Sequence, residues 1–195
     1  MYAQPCHPVR PEKARPMTHT DPPEPDEYSA PYAGYVARVP LGADLHQLLA
    51  EQLDTTSARL RAVPEARGEF RYAPEKWSVK EVVLHLADTE RIMAYRALRI
   101  ARGDATPLPG FDENAYVPQS GADAQPLADL VEGWAVVRRA SISLFRLLPA
   151  EAWLRRGTAS DNPVSVRALG WIIAGHERHH LDVLGARYGL WPVSV

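Results

Sequence analysis

Residues 165–189, SVRALGWIIAGHERHHLDVLGARYG, decide the fold. Ser165 stands where a helix N-cap belongs and Gly189 where a helix is closed, so the stretch between reads as one helix over roughly 166–188. At about 100° per residue, Leu169, Ile172, Ile173, Val183 and Leu184 fall on a single stripe. His176 and His180 straddle the centre of that stripe by roughly 20° on either side, whereas His179 lies about 80° away. Two imidazoles one turn apart thus face whatever packs on this helix, with His179 at the flank.

Its partners are legible upstream. In residues 44–62, DLHQLLAEQLDTTSARLRA, the leucines 45, 48, 49, 53 and 60 share one side, and Pro64 marks the end of a first helix. In 77–104, WSVKEVVLHLADTERIMAYRALRIARGD, Ser78 and Glu81 form a capping box and Val79 opens the apolar series. This second helix runs to Arg102, where Gly103 stops it. Its inner stripe is Val82, Leu86, Thr89, Ile92, Met93 and Ile100, with His85 at the edge. Pro126 suits the first position of a third helix over 127–148, built on Leu127, Leu130, Val131, Trp134, Val137, Leu144, Phe145 and Leu148. A short turn around 150–154 leads into the fourth. The chain shows no internal repeat and no alternating strand pattern of useful length. Four amphipathic helices, with a long connection (104–125) between the second and third, predict an all-α four-helix bundle. That connection is rich in Pro, Gly, Asp and Asn, and in a compact domain such a loop is more often functional than idle.

Composition narrows the chemistry. The chain has 195 residues, 46% hydrophobic and 24% charged, enough for one well-buried domain with a tail. The formal net charge is −2 and the basic residues are scattered, which argues against nucleic acid or an anionic membrane as partner. No apolar run approaches the roughly 20 residues of a membrane span, and no secretory h-region is visible, so a cytoplasmic location is expected. Cys6 is the single cysteine, which excludes an internal disulfide and an all-cysteine zinc site. Half of the eighteen prolines lie in residues 1–40. Residues 1–27 read as a disordered or loosely packed tail, and 28–195 as the bundle domain. Met17 is a second candidate start within that tail.

Seven histidines occur in all; His7, His19 and His46 carry no pattern. His85, His176 and His180 fall where two helices can bring their rings together. Two imidazoles from one helical turn and a third from a neighbouring helix make a divalent metal site with positions left for water or substrate. The competing reading of any one of them is a packed core histidine; the three together favour the metal.

The segments WSVKEVVLHLADTERIMAYRALRIARGD, LPGFDENAYV and GHERHHLDVL resemble the DinB/YfiT-like superfamily of four-helix metalloproteins. The resemblance covers most of residues 40–190, and its signature of one histidine on the second helix and H-x3-H on the fourth matches His85, His176 and His180. It implies an up-down-down-up bundle, one divalent metal ion per chain held by these three histidines, and a homodimer. It also implies chemistry with low-molecular-weight thiols, in which a thiol S-transferase joins an external thiol to a small electrophile. Zn or Ni is the first expectation for the ion, with Fe or Mn also open. The ion lowers the pKa of a thiol or water that it binds.

Around such a site the sequence offers further candidates. Asp88, one turn after His85, is expected to fix a ligand tautomer, unless it merely pairs with Arg91. Glu177 and His179 are candidates for proton transfer, against a plain reading as solvated helix residues. Arg96 lies about 20° from His85 around its helix and is a candidate for holding a substrate carboxylate or phosphate. The plain alternative is that Arg96 and Arg99 pair with Asp112 or Glu113 and pin the loop. Asp112, Asn114 and Tyr116 are expected to cover the mouth, and Trp77, Trp134, Trp153 and Trp171 to be packing or interface residues. Two other classes stay open: a metal-dependent hydrolase, and a non-catalytic metal-binding stress-associated protein whose ion only stabilises the bundle.

Overall fold

The structure, a computed structural model, describes residues 21–192. Cys6, His7, Met17 and His19 lie outside the described residues. Four long helices make the body: α2 (Leu45–Arg61), α3 (Val79–Ala101), α5 (Leu127–Arg146) and α6 (Val166–Ala186), with a single-turn helix α1 (Ala33–Val36) ahead of them and another, α4 (Glu113–Tyr116), between α3 and α5. α3 and α2 each pack against both α5 and α6, so consecutive long helices α2 and α3 sit across a diagonal of the bundle. The predicted four-helix bundle is the fold observed.

The ends of the helices follow local chemistry. Asp44 caps α2 by accepting from the backbone N–H groups of His46 and Gln47, and Ser78 and Glu81 form the expected reciprocal box at α3. Ser165 Oγ accepts from Ala168 N at the start of α6. Pro126 is the N-cap of α5, one position earlier than expected. Gly103 closes α3 and Gly189 ends the last turn, both in the left-handed region that spares a Cβ.

Two elements depart from the sequence reading. A hairpin of β1 (Arg156–Ala159) and β2 (Asn162–Ser165) joins α5 to α6, with Arg156 opposite Ser165 and Ala159 opposite Asn162. Its four-residue strands are too short to show an alternating pattern. The turn is carried by Ser160 and Asp161, both at positive φ, as a two-residue hairpin loop requires. The expected tail boundary at residue 27 also falls inside packed structure. Glu27 is buried and accepts from Ser165 Oγ at 2.5 Å and from the Arg167 guanidinium, itself fully buried. Asp26 pairs with Arg156 on the hairpin. The last part of the proline-rich stretch is therefore bolted to the start of α6.

The core has two apolar ends. One gathers Leu45, Leu49, Met93, Phe145, Trp153, Trp171 and Ile172; the other gathers Leu60, Val79, Val83, Val131 and Leu184. Between them the middles of all four long helices contribute polar groups. Arg138 donates to both oxygens of Glu90 at 2.8 and 2.9 Å, pairs with Glu177 at 2.5 Å, and reaches Gln52 Oε1 at 3.3 Å. The histidines lie on the same middle turns of α3 and α6.

Candidate metal centre

α3 and α6 deliver the three histidines to one point. The side chains of His85, His176 and His180 each place a ring nitrogen within 4.8 Å of the other two, and the rings are almost fully buried. His85 Nε2 and His176 Nε2 are 3.0 Å apart. Two nitrogens each about 2.0–2.1 Å from one tetrahedral ion stand roughly 3.3 Å apart, so the cluster is already close to the spacing that a shared ion demands. Burial pushes the His85 pKa down to about 4, with a smaller push from His179. Burial, followed by the neighbouring imidazoles, holds His176 and His180 well below the ordinary histidine value. All three are thus neutral near pH 7, the form in which imidazole donates a lone pair to a metal. The donor set fits a divalent ion of the zinc or nickel type.

The cluster forms the floor of a cavity of about 320 Å³. Tyr32, Tyr35, Trp77, Phe111, Met93 and Ile172 supply its aromatic and apolar wall, and Glu113 is the acidic group in it. Trp77 stands 4.8 Å from the His85 ring and Tyr35 meets His176 edge-on at 5.2 Å. Burial, then the charge of Glu113, raises the Tyr35 phenol above its ordinary pKa. Trp134, Trp153 and Trp171 are core residues, whereas Trp77 belongs to the cavity.

Several candidates from the sequence land elsewhere. Asp88 accepts from Arg91 at 2.8 Å, and the group beside His85 Nδ1 is Thr89 Oγ1, at 3.4 Å. Thr89 lies one helical turn after His85 and so shares its face, while Asp88 is rotated toward solvent. Glu177 points away from the cluster: it is buried, accepts from Thr56 Oγ1, and pairs with Arg138. Burial raises its pKa against the opposing pull of Arg138. It is neither a solvated residue nor a neighbour of the cavity. His179 is half-buried beside Tyr35 and His180, at 5.4 and 5.0 Å, and opens onto an adjoining cleft rather than the main cavity.

The long connection covers the site, but through other residues than expected. Arg96 is buried and donates to Pro109 O at 2.7 Å and Ser160 Oγ at 3.0 Å, so it pins the connection to the hairpin turn rather than pairing with Asp112 or Glu113. Arg99 pairs with Asp104 and Tyr95. Asp112 caps α4 by accepting from Asn114 N and Ala115 N. Asn114 reaches the adjoining cleft, Tyr116 is half-exposed against Phe111, and the residues over the histidines are Phe111 and Glu113.

The residues that sequence reasoning missed are Ser29, Pro31, Tyr32 and Tyr35, all from the stretch before α2. Tyr28, Tyr32 and Val36 repeat every four residues, a one-face signal masked by the surrounding prolines. Glu113 enters the sequence reading only as a partner for Arg96 or Arg99, and Thr89 only as a packing residue.

Comparison with known proteins agrees with the geometry. A protein of Oceanobacillus iheyensis that carries the name "putative metal-dependent hydrolase" is 25% identical over 146 residues, covering 71% of this chain and 82% of the relative. The solved structure of YfiT from Bacillus subtilis, described as a probable metal-dependent hydrolase with an unusual four-helix bundle topology, superposes with a TM-score of 0.64. That match spans 76% of this chain and 87% of YfiT at 18% identity, a likeness of fold. The DinB superfamily model matches residues 48–184, and the chain belongs to the DinB superfamily.

Proposed function

We propose that the protein is a divalent-metal-dependent enzyme in which His85, His176 and His180 hold the ion. The observation that carries this is the convergence of three neutral, buried ring nitrogens at the floor of an open cavity. A site that served only to stabilise the bundle would have no need of that cavity, since structural zinc sites are closed by protein ligands. A bound divalent ion would supply Lewis acidity, lowering the pKa of a small nucleophile and polarising an electrophile.

The chain's own groups do the rest. Thr89 orients His85 through Nδ1 and leaves Nε2 for the ion. Tyr32, Trp77, Phe111 and Met93 exclude water and accept an apolar or aromatic body. Glu113 places a carboxylate in the cavity wall, where it can accept a hydrogen bond from what binds there. The nucleophile we favour is an external low-molecular-weight thiol acting on a small electrophile. A second reading, hydrolysis by water, is favoured by the names of the two relatives.

Elemental analysis of gently purified protein, followed by a panel of electrophiles with and without small thiols, tests the proposal. One ion per chain and thiol-dependent turnover are expected. Turnover without thiol selects hydrolysis, and a chain that neither contains nor takes up metal ends both readings.

A further inference from the structure

Tyr35 differs from the other hydroxyl-bearing residues of the cavity wall. Its ring lies edge-on to His176, with centroids 5.2 Å apart and planes at 90°. Its backbone has little freedom to move away. α1 presses on α6 so closely that a Cβ added to Gly175 would collide with the Tyr35 carbonyl, so the turn of α6 that presents His176 also seats the tyrosine. Upstream, the buried contacts of Glu27 with Ser165 and Arg167 fix the segment that leads into it.

The hydroxyl itself makes no hydrogen bond among the described residues. Of the other hydroxyls of the wall, Thr89 lies against His85 Nδ1, Ser160 accepts from Arg96, and the Tyr32 ring meets Tyr35 rather than an imidazole, while Ser29 has no ring with which to pack on the cluster. No lysine or arginine among the described residues lines the cavity. A half-buried tyrosine whose ring packs on the histidine cluster and whose O–H has no acceptor among the described residues is available to whatever binds in the cavity.

We propose that Tyr35 is a catalytic residue whose Oη donates a hydrogen bond to the negative charge that develops on the substrate atom held at the histidine cluster. A donor fixed in advance toward developing charge, inside a cavity that excludes water, strengthens as the charge grows. This rests on the reading of the three histidines as a metal site.

The test is an azide titration of the full chain loaded with Co(II), followed by visible absorption. Azide binds the ion through one terminal nitrogen and leaves the other to accept a hydrogen bond. Tyr35→Phe keeps the ring that packs on His176 and removes only the donor. Its azide Kd should rise about fivefold to tenfold, the worth of one hydrogen bond. Cobalt stoichiometry, cobalt affinity and the thermal midpoint should stay at wild-type values. Tyr28→Phe, in the same segment but outside the cavity wall, should bind azide as the wild type does. Equal azide affinity in fully loaded wild type and Tyr35→Phe overturns the role of Tyr35 and leaves the metal reading standing. Weaker azide binding accompanied by weaker cobalt binding or a lower midpoint assigns Tyr35 to structure and also overturns the proposal. A wild-type chain that takes up no cobalt overturns the parent reading and this one with it.

Discussion

His176 and Glu177 are neighbours on α6, yet they belong to two different kinds of polar interior. Glu177 faces the middle of the bundle, where Thr56 and Arg138 meet its carboxylate and Arg138 is in turn held by both oxygens of Glu90. His176 faces a cavity, where its nearest polar neighbours are two more histidines. In one set opposite charges close on each other, Arg138 meeting both Glu90 and Glu177. In the other, three ring nitrogens converge within 4.8 Å of one another, the donor set of the ion proposed above. The contrast separates polar groups paired across the bundle from polar groups gathered at a cavity floor, on the two sides of a single helical turn.

The comparison breaks hardest at Arg138. Replacing it by alanine strands the Glu90 and Glu177 carboxylates in the interior and should cost about 3–5 kcal/mol of stability. Urea denaturation of the metal-free protein reads this directly, and a loss below about 1 kcal/mol would show that the layer is dispensable. On the cavity side the same kind of deletion should act on ligand affinity instead. His85→Ala should lower Zn affinity by at least roughly 100-fold in a chelator competition, more than loss of an outer partner does, while the metal-free thermal midpoint barely moves. If the fold collapses instead, the site is structural. Thr89→Val removes the group beside His85 Nδ1 and should weaken Zn binding by about tenfold. No change would return His85 to orientation by packing alone.

The smallest effect is silent at neutral pH. Burial pushes the Glu27 carboxyl up, but hydrogen bonds from Arg167 and Ser165 outweigh it and hold the pKa below the ordinary value. The contribution of this contact is therefore complete above about pH 4.3, the usual glutamate value, and fades as pH falls through the lowered one. Hydrogen exchange at Ala33–Val36 should speed up below that pH before α2 loses protection. Exchange that stays uniform across both would remove Glu27 as the anchor.

Much of this was legible in the chain. The bundle follows from apolar stripes at helical spacing and from the Ser78/Glu81 and Ser165 caps, because helix ends and faces are set within a few residues. The convergence of His85 with His176 and His180 follows from the same periodicity. What escaped depends on distance in the chain. The direction of Glu177 is decided by Arg138 and Thr56, far away in sequence, and angular position on α6 alone does not reveal a counter-charge on α2 or α5. The roles of Arg96 and Ser160 depend on a hairpin whose strands are too short to announce themselves. The stretch before α2 carried too many prolines to read as part of a core, yet one buried carboxylate docks it.

That docked stretch has a practical consequence. A shortened version of the chain trimmed to begin at α2 would retain all four long helices and all three imidazoles, yet it would strand the buried Arg167 guanidinium that Glu27 meets and uncover the face of α6 on which α1 sits. It would also lack Tyr32 and Tyr35, and with them one side of the cavity above the histidines. Under the function proposed above, the wall that meets the reactants and the ligands that hold the ion would be written in separate parts of the polypeptide.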